Sequence, residues 1–173
     1  GDIGGSKARE SVGALLPGLR ERYKPDYVLA NAENAAAGFG LTRKVYDELV
    51  YDYGINVLTG GNHIWDKKEI FKEIAGMDKL VRPINYPNCQ YGQGYVIQEV
   101  KGLKVCTINV LGRVFVHWNI DCPFQTMQKL LAELKDKADI FLVDLHAEVT
   151  SEKKAFGYHF DGQVSAVIGT HTH

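Results

Sequence analysis

No apolar run in this chain approaches the about 18 residues that a membrane-spanning helix needs, and no charged start followed by an apolar stretch marks a secretion signal. A membrane partner is therefore not expected. Cysteine is scarce: the three thiols, Cys89, Cys106 and Cys122, are odd in number and include no Cys-x-x-Cys pair. That argues against a disulfide framework and fits a reducing, cytoplasmic setting. An excess of either charge is also missing, since 20 Lys and Arg against 21 Asp and Glu leave a formal net charge of -1. Without a polyanion-binding balance a long nucleic-acid groove is not expected, whereas a small phosphorylated ligand held through metal stays open. Internal repeats, linkers and low-complexity tracts are absent too. Gly1-Asp-Ile-Gly-Gly-Ser-Lys7 resembles a P-loop only superficially, because Ser6 rather than glycine precedes the lysine and no Ser or Thr follows it.

What the chain does have is enough apolar content, 45% of 173 residues, to bury one sizeable core, so residues 1–173 are read as a single domain. Short apolar runs alternate with helical patterns. Ser6 is a candidate N-cap for a helix over 7–22, which Pro17 should kink or split. Thr42 caps a helix over 43–53, with Gly54 as its stop, and Asp66 opens another over 67–75. Two β-rich runs, 94–100 and 103–110, flank Lys101-Gly102 as a hairpin. Pro123 opens a helix to Ala138, and Thr150 opens a shorter one near 153–158. Strands alternating with helices argue a layered α/β sheet carrying the hairpin as a mixed-direction insertion. The sequence opens at Gly1-Asp2 without an apolar run before it and stops at His173 just after a strand, so it is read as a domain truncated at both ends.

The chemistry collects where apolar runs stop. Val164 to Ile168 leads into Gly169-Thr-His171-Thr-His173, Asp139 to Leu145 into His146, Asp26 to Ala30 into Asn31-Ala-Glu33-Asn34, and Ile55 to Leu58 into Thr59-Gly-Gly-Asn62-His63. Asp2 adds a carboxylate at the start. Ligands of open α/β sheets bind outside the carboxyl ends of the strands, so these donors are expected to converge. In extended chain, side chains two apart point the same way, which lets His171 and His173 share one metal or serve two adjacent ones. A carboxylate can bridge two cations, so Asp2 or Glu33 could hold the pair of ions typical of two-metal hydrolases. Asn34 and Asn62 would add neutral carbonyl oxygens, and His146, His171 and His173 would complete a mixed nitrogen and oxygen set. Such a set suits iron, manganese or zinc more than magnesium or calcium. His63, beside Asn62, is placed to protonate a leaving oxygen.

Taken singly, each residue has a plainer explanation. Asn62-His63 fits a turn, His146 a hydrogen-bonded core histidine and Glu33 a helix cap; their joint arrival at strand ends favours the metal site. His117 and His159 lack that setting and read as ordinary loop or helix-surface residues. Arg82 and Arg113 are candidates for orienting phosphate, with surface ion pairing as the simpler duty.

Gly1-Asp-Ile-Gly-Gly5, Asn31-Ala-Glu-Asn-Ala-Ala-Ala-Gly38, Gly61-Asn-His-Ile-Trp-Asp66, Arg82-Pro-Ile-Asn85, Asp144-Leu-His-Ala-Glu148 and Gly169-Thr-His-Thr-His173 together resemble the YmdB-type branch of the calcineurin-like metallophosphoesterases. The resemblance spans essentially the whole chain and keeps the order of every motif. It implies a layered α/β/β/α sandwich, here incomplete at both ends, and a bacterial phosphodiesterase acting on 2′,3′-cyclic nucleotides with a dinuclear iron or manganese centre. Position by position, Asp2, Glu33, Asn34 and His173 resemble the ligands of one metal, and Glu33, Asn62, His146 and His171 those of the other. His63 matches the proton donor. Gly4 stands where typical superfamily members carry a histidine, and Glu33 where the bridging residue is usually aspartate; both are features of the YmdB branch. The expectation is hydrolysis of a small phosphodiester by two-metal-activated hydroxide, with His63 as general acid and two transition-metal ions as cofactors. A homo-oligomer is left open. The alternatives are a regulatory or RNA-associated metal-binding module without turnover, and a zinc-dependent amide hydrolase.

Overall fold

Short apolar runs in the first half of the chain form a three-stranded sheet and longer ones in the second half a four-stranded sheet, in a computed structural model that describes residues 2–116 and 119–172. In the first sheet β1 (Leu29–Asn31), β2 (Val57–Thr59) and β3 (Leu80–Val81) lie side by side and parallel. In the second, β4 (Tyr95–Val100) and β5 (Leu103–Leu111) pair antiparallel, while β5, β6 (Ile140–Ala147) and β7 (Ala166–His171) run parallel. The turn between β4 and β5 is the expected Lys101-Gly102. Both residues have positive φ, 50° and 82°, as a two-residue turn matched to strand twist requires.

Side-chain alternation along the strands sets the layers. From β5, Cys106, Ile108 and Val110 join Phe141, Val143 and Leu145 of β6 in a core closed by α4 (Pro123–Leu134) and α5 (Thr150–His159). Met127, Leu131 and Leu134 of α4 recur at helical spacing on its buried face. From the first sheet, Ala30, Leu58 and Leu80 join a second core with α2 (Arg43–Asp47) and with Ala8, Val12 and Leu16 of α1 (Gly5–Tyr23). The alternate residues Val57, Thr59, Val105, Thr107 and Asn109 are buried as well but belong to neither core. They form the seam between the sheets, which completes the expected α/β/β/α order.

That seam is polar. Thr59 and Asn31 from the first sheet donate to the Asp144 carboxylate of the second, and Gly61 N–H donates to Asn109 Oδ1 at 3.1 Å. The Tyr27 hydroxyl lies 2.8 Å from Thr107 Oγ1, and Gln98 Nε2 donates to the Asn56 carbonyl at 3.2 Å. These hydrogen bonds tie the two sheets together across the seam.

Several expectations change on contact with the structure. Pro17 neither ends nor splits α1, which runs from Gly5 to Tyr23 with Gly4 rather than Ser6 at its N-cap. No residue of α1 is buried, so solvent can serve the carbonyl that proline leaves without a donor. Thr42 does cap α2, its Oγ1 accepting from Val45 N–H, and the helix continues as a π-type turn over Glu48–Asp52. The helix expected over 67–75 is reduced to a short α3 (Ile70–Glu73) followed by a 3-10 turn at Ile74–Gly76, and a separate 3-10 turn at Asn62–Trp65 precedes it. α4 stops at Leu134, short of Ala138. Among the described residues no helix is long and apolar enough to cross a membrane.

All three cysteines are free, with Cys106 buried and Cys89 and Cys122 half-buried. Burial pushes the Cys106 thiol up to about 12, which suppresses its reactive thiolate. A thiol reagent at pH 8 should therefore label Cys89 and Cys122 of the native protein and spare Cys106, all three reacting after denaturation. Mass spectrometry showing equally fast labelling of Cys106 in the native state would contradict this burial.

Candidate metal centre

Both sheets end at the same rim, and each delivers two donors there. The chain leaving β1 turns sharply, Glu33 N–H donating to Asn31 Oδ1 at 3.1 Å, and this turn aims the Glu33 carboxylate inward. The chain leaving β2 passes through Gly61, whose φ is 55°, and at which a Cβ would overlap that carboxylate. Only glycine allows the approach. The N–H groups of Asn62 and His63 then donate to Glu33 Oε2 at 3.0 and 3.3 Å. From the second sheet, β6 contributes His146 and β7 ends on His171.

Ligand atoms of Asp2, Glu33, His146 and His171 all lie within 4.8 Å of one another. His146 Nε2 is 2.9 Å from Glu33 Oε2 and 2.8 Å from Asn62 Oδ1, and the two imidazole centroids are 4.7 Å apart. Asn34 Nδ2 donates to Glu33 Oε1 at 3.0 Å, which leaves its own carbonyl oxygen for a cation. Asp2 Oδ1 accepts from His171 N–H at 3.3 Å. Glu33 and His146 are fully buried. Burial alone would raise the Glu33 carboxyl, but the hydrogen bond and charge of His146, followed by the N–H and charge of His63, outweigh it and hold the group at about 2. Asp2 goes the other way: burial pushes it up against the opposing charge of His146, and the Glu33 charge adds to the rise.

These donors fit a metal. Buried His171 Nδ1 makes no hydrogen bond among the described residues and faces Glu33 Oε1 at 3.9 Å. That gap is too long for a hydrogen bond, yet one ion with ligands about 2 Å away on each side would fill it. Oxygen and imidazole donors in such numbers suit a transition-metal ion.

The structure brings together Asp2, Glu33, Asn34, Asn62, His146 and His171; His173, and with it the proposed pairing of two histidines, lies outside the described residues, as does His117. The premise of extended chain at this place also needs correction, because His171 has φ 89°. Thr170 points toward Asn31 and Asp144 in the seam, so strict alternation would turn His171 away from it; the positive φ redirects the ring into the cluster. His63 sits at the rim with Nδ1 2.7 Å from Asp66 Oδ2 and its ring edge-on to Phe39 at 5.5 Å. Asp66, read from sequence only as a helix start, is thus the carboxylate that orients His63. Its i,i+3 spacing on a turn was the available signal. His159 lies at the end of α5 against Phe124, as a surface residue should. Arg82 commits Nε, Nη1 and Nη2 to the carbonyls of Tyr91, Pro83 and Cys89, so its guanidinium clamps the 82–91 loop. Arg113 is exposed, its N–H donating to Glu152 Oε1 at 2.8 Å.

Two sheets packed face to face, with a mixed oxygen and nitrogen cluster on their common rim, define the calcineurin-like metallophosphoesterase class of fold. Within it the chain belongs to the YmdB-like protein family, whose family model it matches over residues 1–173. It is 44% identical over 173 residues to the 2′,3′-cyclic-nucleotide 2′-phosphodiesterase of Bacillus subtilis, covering 100% of this chain and spanning 65% of that relative's length. A crystal structure of a hypothetical protein from Thermus thermophilus superposes with a TM-score of 0.91 at 43% identity, over 100% of this chain and 66% of the other. That of a phosphatase from Mycoplasma pneumoniae also gives 0.91, at 38% identity, over 100% and 62%.

Proposed function

We propose that the protein is a metal-dependent phosphodiesterase that hydrolyses small phosphodiesters, 2′,3′-cyclic nucleotides foremost, with His63 as general acid. One observation carries this reading: Glu33, buried between the sheets, receives His146, Asn62 and Asn34 on one carboxylate, while His63 directly follows Asn62 in the chain with its ring steered by Asp66. A bound pair of iron or manganese ions would supply Lewis acidity and a nucleophile at neutral pH. Glu33 would serve both ions, with Asp2, Asn34 and His173 as the further candidate ligands of one and Asn62, His146 and His171 of the other. Asp66 accepts from His63 Nδ1, which leaves Nε2 to deliver a proton to the departing oxygen. The name of the Bacillus subtilis relative supports the choice of substrate. Three unpaired thiols fit a cytoplasmic setting.

The test is an assay with 2′,3′-cyclic AMP, bis(p-nitrophenyl) phosphate and an amide substrate, with metal analysis of the same sample. Metal-dependent cleavage of the two diesters alone is expected. Cleavage of the amide in their place, or bound metal without turnover of any of the three, would overturn the proposal.

A further inference from the structure

Phe39 is 57% exposed, yet the backbone holds it at a fixed place beside the proposed proton donor. The Gly5 and Gly38 N–H groups both donate to the Asn34 carbonyl, at 2.8 and 3.2 Å, and Ala36 N–H donates to the Gly40 carbonyl at 3.0 Å. These bonds close residues 34–40 into a tight loop. Ala37, Gly38 and Gly40 take positive φ within it, 58°, 94° and 71°. At Gly40 a Cβ would lie 2.9 Å from Lys67 Cγ and 3.2 Å from the His63 carbonyl oxygen, so the loop rests directly on the His63 turn. The phenyl ring it presents belongs to neither core. Its aromatic contact among the described residues is with His63, the ring centroids 5.5 Å apart and the planes at 67°. In an edge-to-face pair the phenyl offers either its edge, which leaves both faces open, or one face, which leaves the other. Phe39 therefore keeps at least one face open to a planar partner.

We propose that Phe39 is the nucleobase platform of the site: the base of a cyclic nucleotide stacks on its open face while the scissile phosphate lies at the cluster. The chemistry of the substrate sets the distance. His63 must touch the departing ribose oxygen, and in a 2′,3′-cyclic nucleotide that oxygen and the base are carried by the same small ring. The base is thus delivered within a ring's breadth of the imidazole, where Phe39 stands. Stacking tolerates any base, because every base has a π-face, but a purine offers the larger one. Phe39 accordingly selects nucleotides among cyclic phosphodiesters, and purines ahead of pyrimidines. A lone exposed aromatic is ordinary on a protein surface; this one is set by a closed loop against the residue that handles the leaving group. The inference rests on the proposed phosphodiesterase function above.

The experiment measures KM and kcat of wild type, Phe39→Ala and Phe39→Trp on 2′,3′-cyclic AMP, on 2′,3′-cyclic CMP and on the 2′,3′-cyclic phosphate of methyl riboside, which carries no base. Phe39→Ala should raise KM for 2′,3′-cyclic AMP about 10–100-fold, the usual worth of one base stacked on an aromatic ring, with kcat little changed. The rise should be smaller for 2′,3′-cyclic CMP and absent for the riboside. Phe39→Trp keeps a stacking face and should stay near wild type. Because Phe39 is exposed and outside both cores, its replacement should leave the fold intact. Equal KM for wild type and Phe39→Ala on 2′,3′-cyclic AMP would overturn the inference while leaving the phosphodiesterase standing. So would a fall in kcat of the same size on all three substrates, which would make Phe39 only a prop for the His63 ring. A wild-type protein that cleaves none of the three would instead overturn the proposed function, and the inference with it.

Discussion

On the two-metal reading proposed above, replacing Glu33 with alanine is expected to remove both metal positions together and with them the proposed phosphodiesterase activity. The carboxylate is fully buried; His146 from one sheet and Asn62 and Asn34 from the other donate to it, and His171 faces it at 3.9 Å. A change at an outlying ligand should weaken one position; a change at the shared one should empty both. The same substitution strips the Asn62 and His63 N–H groups of their acceptor, a cost of about 1–3 kcal/mol for each donor left buried and unsatisfied. Loss of fold could therefore imitate loss of metal. Glu33→Gln separates the two, because it keeps a carbonyl acceptor for those N–H groups but lacks the second anionic oxygen. Metal analysis of the purified protein should find both variants depleted, the glutamine form with its fold preserved. Full metal content in folded Glu33→Ala would refute the bridging role.

His63→Ala should behave in the opposite manner. Its side chain is directed to Asp66 and the rim, and its link to Glu33 is made by the backbone N–H, which alanine retains. Metal content should stay at the wild-type level while turnover of 2′,3′-cyclic AMP drops about 10²–10⁴-fold, the usual contribution of a positioned proton donor. The loss should be smaller for a substrate whose leaving group departs without protonation, such as bis(p-nitrophenyl) phosphate. Asp66→Asn should cost less than His63→Ala, since it disturbs the orientation of the ring without deleting it. Turnover unchanged on both substrates would remove His63 from the mechanism.

How much of this was legible depends on what each element owes to local sequence. The long strands β5 and β6, the hairpin turn and α4 show in the pattern of apolar residues, because long buried elements repeat their periodicity often enough to be recognised. β3 has only Leu80 and Val81, too short to carry a period, and it exists because β2 offers it a partner. The 67–75 segment has a helical stripe in Ile70, Phe71 and Ile74, but only the short α3 and a following 3-10 turn form there, after the separate 3-10 turn that carries His63. The gathering of Asp2, Glu33, His146 and His171 could be anticipated from donor residues at the ends of apolar runs. Thr59, Thr170 and Asp144 gave no such sign. Their partners lie on other strands, and a buried threonine or aspartate in a strand looks from sequence like any other polar interruption. The bend at His171 was also hidden, because the alternation rule assumes the very backbone conformation that this residue abandons.

The polar seam has a mechanical consequence. Two sheets greased by aliphatic side chains can shear past one another by a fraction of a residue at little cost, whereas oriented donors such as Thr59 and Asn31 on Asp144 lose their alignment at once. Half of the cluster rides on each sheet. The seam thus acts as a gauge block, fixing the spacing between Glu33 and His146 against thermal slippage of the slabs that carry them.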